Sequence, residues 1–147
     1  MLNVDEIVNG RQGLPLPPCT ERAAGLERGR ILVVDDEASV ADALRIILED
    51  SGYEVAVALT GFEGLELAGQ QCFDVVVSDV RLPDISGLEV LNIVCGRCPG
   101  CVVILITSHS TTQLLEEALH CGAFDVLRKP FQPSEVLALV SAALNQR

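Results

Sequence analysis

From residue 30 onward, short apolar runs alternate five times with longer stretches whose apolar residues recur at helical spacing. That rhythm predicts strand–helix units, and such units build a parallel sheet because consecutive parallel strands need a crossover connection. The first run is Ile31-Leu32-Val33-Val34. It is followed by a predicted helix over about 38–50, with Val40, Leu44, Ile47 and Leu48 on one face and Gly52 at its end. A second strand over 54–59 leads into a short helix with Thr60 as N-cap and Phe62, Leu65 and Leu67 on one face. The third strand, 73–78, reads as an apolar run suited to burial on both faces. The fourth, 102–106, precedes a helix containing Leu114, Leu115, Ala118 and Leu119, with Gly122 as its C-cap. A fifth strand, 125–127, gives way to a last helix opened by Gln132 or Ser134 and carrying Val136, Leu137, Val140 and Leu144. The predicted fold class is α/β, an open doubly wound five-stranded parallel sheet with helices on both faces.

At 147 residues the chain has the size of one domain with one core. Its apolar runs, such as 101–106, fall far short of the roughly 18 residues that a membrane span needs. Asp5, Glu6, Asn9 and Arg11 interrupt any secretory signal, so the expectation is a cytoplasmic protein with no membrane contact. A net charge of −11 with ten basic residues argues against direct nucleic-acid binding, which needs clustered Lys and Arg. Residues 1–29 lack an apolar period and include Leu14-Pro15-Leu16-Pro17-Pro18. They read as a flexible N-terminal extension, with Pro15-x-x-Pro18 as a conceivable docking motif, leaving 30–147 as the domain. The six cysteines fit free thiols in a reducing compartment.

Ligands in such a sheet gather at the carboxyl ends of the strands. There the sequence places Asp35-Asp36-Glu37, Ser78-Asp79, Thr107-Ser108 and Lys129-Pro130. Carboxylates forced together repel by about 4 kcal/mol per pair at about 4 Å and an effective dielectric of about 20, so the pocket calls for a cation. Oxygen-only ligands suit a hard ion, Mg²⁺ or Mn²⁺, that retains sites for phosphate oxygens. With the metal and Lys129 balancing charge, one carboxylate can attack phosphorus and form an acyl phosphate, and Thr107 can hydrogen-bond a phosphoryl oxygen. Each element alone reads more simply as a helix cap or a surface residue. Their convergence in order on one edge does not.

Four segments carry a family resemblance: Val33-Val34-Asp35-Asp36-Glu37, Ser78-Asp79-x-x-Leu82-Pro83-x-x-Ser86-Gly87, Ile106-Thr107-Ser108, and Gly122-Ala123-Phe124-Asp125-x-Leu127-x-Lys129-Pro130-Phe131. Together they resemble the response-regulator receiver domain of bacterial two-component systems, over about 30–145. The resemblance implies a flavodoxin-like sheet of strand order 2-1-3-4-5. It implies phosphorylation of Asp79 by a sensor histidine kinase, a phosphotransfer protein or a small phosphodonor. Asp36 and Asp79, the backbone carbonyl of Arg81 and, largely through water, Asp35 would hold the metal. Lys129 would contact the phosphoryl group and Thr107 would move towards it. The switched surface would be helix four, strand five and helix five, used for partner binding or homodimerisation. Such a protein is no enzyme beyond its own aspartyl phosphorylation and dephosphorylation. Lys129-Pro130 is expected to be a cis peptide, and Gly87 to let the loop after Pro83 turn into helix three. The side chains of Arg81 and His109 occupy positions that tune phosphoryl lifetime. Val126 stands where many members carry an aromatic residue, which removes the usual aromatic partner of the threonine shift.

Cys95-x-x-Cys98-x-x-Cys101 has the spacing of a thiolate metal site, but no fourth ligand stands nearby, and Pro99-Gly100 reads as a turn. Cys72 and Cys121 read as small buried apolar residues. A metal or redox sensor using the triplet is one competing reading. A small Mg²⁺-dependent phosphatase or phosphotransferase is another, disfavoured because no second acid follows Asp79 closely and no cap insertion is visible. A nucleotide-binding module lacks its Gly-rich phosphate loop. The chain fits either a stand-alone receiver or part of a longer regulator.

Overall fold

In a computed structural model that describes residues 29–146, the five predicted units form in order. They are β1 (Arg30–Val34), α1 (Ala38–Asp50), β2 (Glu54–Ala58), α2 (Gly61–Gln70), β3 (Val75–Asp79), α3 (Gly87–Arg97), β4 (Val102–Thr107), α4 (Thr112–His120), β5 (Asp125–Arg128) and α5 (Pro133–Asn145). All neighbouring strands are parallel, in the order β2-β1-β3-β4-β5. This is the flavodoxin-like order expected from the resemblance.

The apolar runs are unbroken because the central strands are covered on both faces. Ile31, Val33, Val75, Val77, Ile104 and Ile106 point to one side, where α1 and α5 supply Ala41, Leu44, Leu48, Val136, Val140 and Ala143. Leu32, Val34, Val76, Val103 and Leu105 point to the other, against Leu65 and Ala68 of α2, Val90, Leu91 and Val94 of α3, and Ala118 of α4. Consecutive connections from β1 and β3 thus leave on opposite faces, opening a crevice at the carboxyl ends of these two neighbours.

Local signals fix the element ends. Thr60 accepts a hydrogen bond from the Glu63 N–H, Ser86 from Leu88 N–H and Thr111 from Leu114 N–H, each satisfying a first-turn donor. Gly52 and Gly122 have φ of 95° and 106°, the left-handed conformation in which helices end most cheaply on glycine. Of the two candidates for the last N-cap, Gln132 is the one used. Pro133 follows in the first turn, where its missing N–H costs nothing, and Glu135 accepts the Gln132 N–H at 2.7 Å. The Lys129-Pro130 peptide is cis.

Three differences from the expected bounds bear on function. β3 runs two residues later than 73–78 at its start and takes in Asp79, because Asp74 interrupts the apolar run: it is buried, and its carboxylate accepts the Arg30 N–H at 2.7 Å. β4 likewise extends to Thr107, so both polar residues are the last of their strands. β5 extends to Arg128. The expected N-terminal extension, including Pro15-x-x-Pro18, lies outside the described residues except for Gly29. That glycine is buried, and a Cβ there would stand 2.9 Å from Leu144 Cδ2. Among the described residues no helix is long and apolar enough to cross a membrane.

Candidate functional site

Strand geometry brings the aspartates together without help from long side chains, because each follows or ends a strand at the same edge. Asp35 follows β1 and is fully buried; its Oδ1 accepts the Glu37 N–H at 2.9 Å. Asp36, the next residue, is exposed. Asp79 ends β3 with 6% of its surface exposed, and its Oδ1 accepts the Arg81 N–H at 2.9 Å. Oxygens of Asp35, Asp36 and Asp79 all lie within 4.8 Å of one another. Lys129 reaches into this group from beyond β5. Its Nζ stands 2.6 Å from Asp79 Oδ2, 2.9 Å from Glu37 Oε1 and 3.1 Å from Asp35 Oδ2. Its own N–H donates to the Thr107 carbonyl at 2.8 Å, which ties the ends of β4 and β5.

The electrostatics follow from burial set against these partners. Burial pushes the Asp35 carboxyl up, and the charge of Asp79 adds to this. The Glu37 N–H and Lys129 oppose the rise but do not cancel it. Lys129 goes the other way from what burial would dictate: hydrogen bonds to Asp79 and Glu37 and the adjacent Asp35 carboxylate hold its ammonium well above the usual lysine range. Asp35 Oδ2 has the lysine at ion-pair distance but no well-directed hydrogen-bond donor. A fully buried carboxylate oxygen in that condition is under-satisfied. Three oxygen donors converging beside it are the donor set of a hard divalent cation.

Thr107 is buried at the end of β4, and its hydroxyl both donates to the His109 carbonyl at 3.2 Å and accepts the His109 N–H at 3.1 Å. The side chains of His109 and Arg81 are exposed on the rim. Gly87 is required: a Cβ there would lie 2.8 Å from Val80 Cα and closer still to the Asp79 carbonyl oxygen. Val126 packs half-buried against the α2–α3–α4 side of the core.

Two participants escaped the sequence reading. Glu37 shares Lys129 with the aspartates although the two residues are 92 positions apart; its place beside Asp35-Asp36 was visible, its lysine contact was not. Asp84, in the loop after β3, accepts the N–H groups of Gly61 and Phe62 at the start of α2. No local signal announces that contact.

The cysteine triplet is not assembled. Cys98 and Cys101 are buried in the core around the turn after α3, while Cys95 packs on the same core near Gly122. Among the described residues the acidic trio is the one group of three or more candidate metal ligands. Burial raises the thiols of Cys95 and Cys98, further disfavouring thiolate ligation. Cys95, Cys98, Cys101 and Cys121 form no disulfide, as expected. Cys72 is instead disulfide-bonded, which corrects the expectation of an unbonded thiol there.

A 2-1-3-4-5 parallel sheet with an acidic cluster and a lysine at its carboxyl edge defines the class of phosphorelay receiver domains. Residues 31–141 match the family model for the response regulator receiver domain, and the chain belongs to that family. It is 40% identical over 121 residues to the transcriptional regulatory protein YkoG of Bacillus subtilis, covering 82% of this chain and 53% of that one. It is 37% identical over 120 residues to the DNA-binding transcriptional regulator NtrC of Escherichia coli, covering 82% and 26%. A CheY-like receiver domain protein from Methanospirillum hungatei superposes with a TM-score of 0.78 at 32% identity, covering 82% of this chain and 96% of that one. The beryllofluoride-activated NtrC4 receiver domain dimer superposes at 0.76 with 35% identity, covering 80% and 97%. The chain therefore spans about half or less of the curated relatives named here but nearly all of the receiver structures. Because those relatives are longer transcriptional regulators, the expected absence of nucleic-acid contact has only this chain's own charge behind it. The family uses Mg²⁺ at an acidic pocket, and the aspartate cluster fits that use.

Proposed function

We propose that this domain accepts a phosphoryl group on Asp79 from the phosphohistidine of a sensor kinase or phosphotransfer protein, or from a small phosphodonor such as acetyl phosphate. The observation that carries the reading is the Asp79 carboxylate itself. It is nearly buried, clustered with Asp35 and Asp36, and held by Lys129 and the Arg81 N–H.

One carboxylate oxygen of Asp79 forms the new O–P bond as the donor's N–P or O–P bond breaks. The leaving imidazole or carboxylate keeps the bonding electron pair. Asp36, Asp79 and the Arg81 carbonyl, with Asp35 acting largely through water, would hold Mg²⁺ or Mn²⁺, which when bound would supply charge neutralisation for the transferring oxygens. Lys129 supplies a second positive charge and is already desolvated beside the acceptor, so little reorganisation is needed when charge develops. The Arg81 N–H fixes the carboxylate's rotation. Thr107 then exchanges its His109 contacts for a phosphoryl oxygen, biasing the α4–β5–α5 face towards partner binding or homodimerisation. The exposed Arg81 and His109 side chains flank the approach of hydrolytic water and so set phosphoryl lifetime. The chain acts in a cytoplasmic two-component pathway, as a switch rather than an enzyme with a separate substrate.

Intact-mass measurement after treatment with acetyl phosphate and Mg²⁺ tests this. The expected gain is about 80 Da, that of one phosphoryl group, abolished by Asp79→Asn and by EDTA. A folded, Mg²⁺-binding chain that gains no mass, or that gains it with Asn at 79, overturns the reading.

A further inference from the structure

The loop from 80 to 86 carries both backbone groups of Arg81 that the phosphoacceptor reading uses, and the inference drawn from it rests on that reading. The loop's ends are closed on each other: Gly87 N–H donates to the Val80 carbonyl at 2.8 Å, and Val80 N–H to the Ile106 carbonyl at 2.9 Å. Between those ends, Arg81, Pro83 and Asp84 are exposed, while Leu82 packs half-buried on the core and Ile85 is buried in it. The polar tie to the rest of the fold is Asp84. Its Oδ1 accepts the N–H groups of Gly61 and Ile85, both at 2.9 Å, and its Oδ2 accepts the Phe62 N–H at 2.8 Å.

This is not ordinary capping, because α2 already has a cap of its own in Thr60. Asp84 adds a carboxylate from a segment 23 residues away to the same helix start, where unpaired N–H groups and the helix dipole both favour a negative charge. Burial would push the Asp84 carboxyl up, but the Phe62, Gly61 and Ile85 N–H groups outweigh it and hold the carboxyl below its usual range. A second observation joins the same two segments. Ile85 is buried against Gly61, and a Cβ on Gly61 would fall within 2.9 Å of Ile85 Cδ1 and closer still to Cγ1. A glycine and a carboxylate thus seat the loop on the start of α2 from both sides.

We infer that Asp84 is a positioning residue for the acidic site: by joining the loop after Asp79 to the N-terminus of α2, it holds the Arg81 backbone against the Asp79 carboxylate and towards the cation. It touches neither the acceptor nor the metal and acts through Arg81. Groups that orient metal ligands from outside typically change metal affinity or activity by about 10- to 100-fold when removed.

The test compares wild type, Asp84→Ala, Asp84→Asn, Gly61→Ala and Thr60→Ala. Two readouts are taken: amide hydrogen exchange at Arg81 in the metal-free protein, and Mg²⁺ affinity by calorimetry. Asp84→Ala is expected to speed Arg81 exchange and weaken Mg²⁺ binding by about tenfold or more. Asp84→Asn, which keeps the oxygen facing Gly61 and Ile85, is expected to fall between. Gly61→Ala should move Arg81 exchange in the same direction with Asp84 intact. Thr60→Ala removes a cap from the same helix without touching the loop and should leave both readouts near wild type. Unchanged readouts in Asp84→Ala, or equal changes in Thr60→Ala, overturn the inference while leaving Asp79 phosphorylation standing. A wild-type chain that neither binds Mg²⁺ nor takes a phosphoryl group overturns the phosphoacceptor reading instead, and Arg81 exchange alone then decides whether Asp84 holds the loop.

Discussion

Replacing Asp35 by Asn should stabilise the metal-free protein, although Asp35 is buried and paired. At an effective dielectric of about 20, the 3.1 Å contact with Lys129 attracts by about 5 kcal/mol. The Asp79 carboxylate, within 4.8 Å, repels by at least about 3.5 kcal/mol. Asp36 is exposed, and after discounting for solvent its repulsion contributes about 1 kcal/mol more. These terms nearly cancel. What remains is the burial of a fully enclosed carboxylate, which costs several kcal/mol and is only partly offset by the Glu37 N–H, a bond that Asn can keep. The raised Asp35 pKa has the same sign: ionising this group in the fold is harder than in the unfolded chain, so its contribution to stability is lost as pH rises through the folded value. A gain of about 1–2 kcal/mol is expected at neutral pH in EDTA, or roughly 4–8 °C in Tm. Adding Mg²⁺ should reverse the order, since wild type gains about 2.7 kcal/mol at a hundredfold excess over Kd and the variant gains less. Thermal melts in EDTA and in Mg²⁺ decide the matter. An Asp35→Asn protein that melts below wild type in EDTA would refute the balance of terms worked out here.

Gly87→Ala drives a methyl group into the Asp79–Val80 backbone and should cost about 2 kcal/mol or more, with slower phosphorylation by acetyl phosphate; denaturant melts and mass measurement check both. Because the Asp84 carboxyl is held below its ordinary value, its stabilising contribution is present above pH 3.8 and is lost as pH falls through the folded value. Asp84→Asn should therefore flatten the acid limb of the stability profile below about pH 4 and lower the plateau above it. Burial raises the thiols of Cys95 and Cys98 above their usual 9.0, so iodoacetamide should label them slowly at neutral pH and faster as pH climbs past that value. Rapid neutral-pH labelling of either, located by peptide mass, would contradict their assigned packing.

Features set by neighbouring residues were legible in the sequence. The α1 bounds, the Thr60 cap and the glycine turns at 52 and 122 depend on local chemistry, and the structure places all of them as expected; the cis peptide before Pro130, expected from the family resemblance, is there too. So was the convergence of Asp35, Asp79, Thr107 and Lys129, because parallel topology sends every strand's carboxyl end to one edge. Contacts chosen by loop trajectory were not legible. Asp84 could cap its own turn as readily as the start of a distant helix, and Glu37 could point to water as readily as to Lys129. Asp74 was read as part of an apolar run, and only the structure shows its carboxylate answering the Arg30 N–H at the opening of β1. The cysteine triplet has metal-site spacing, but the turn read at Pro99-Gly100 is real: its positions span the end of a helix and that turn, which sends two side chains into the core.

The paired bonds between the Thr107 hydroxyl and the His109 backbone have a quantitative consequence for signalling. Two neutral hydrogen bonds are together worth about 1–3 kcal/mol net, and they must be given up before the hydroxyl can turn to Asp79. Under the proposed Thr107 switch, a latch of that strength would leave roughly 1–15% of unphosphorylated molecules in the turned state at any moment. The resting domain would thus leak a small, fixed signal, and substitutions that weaken the 107–109 turn would raise that background without altering the chemistry at Asp79.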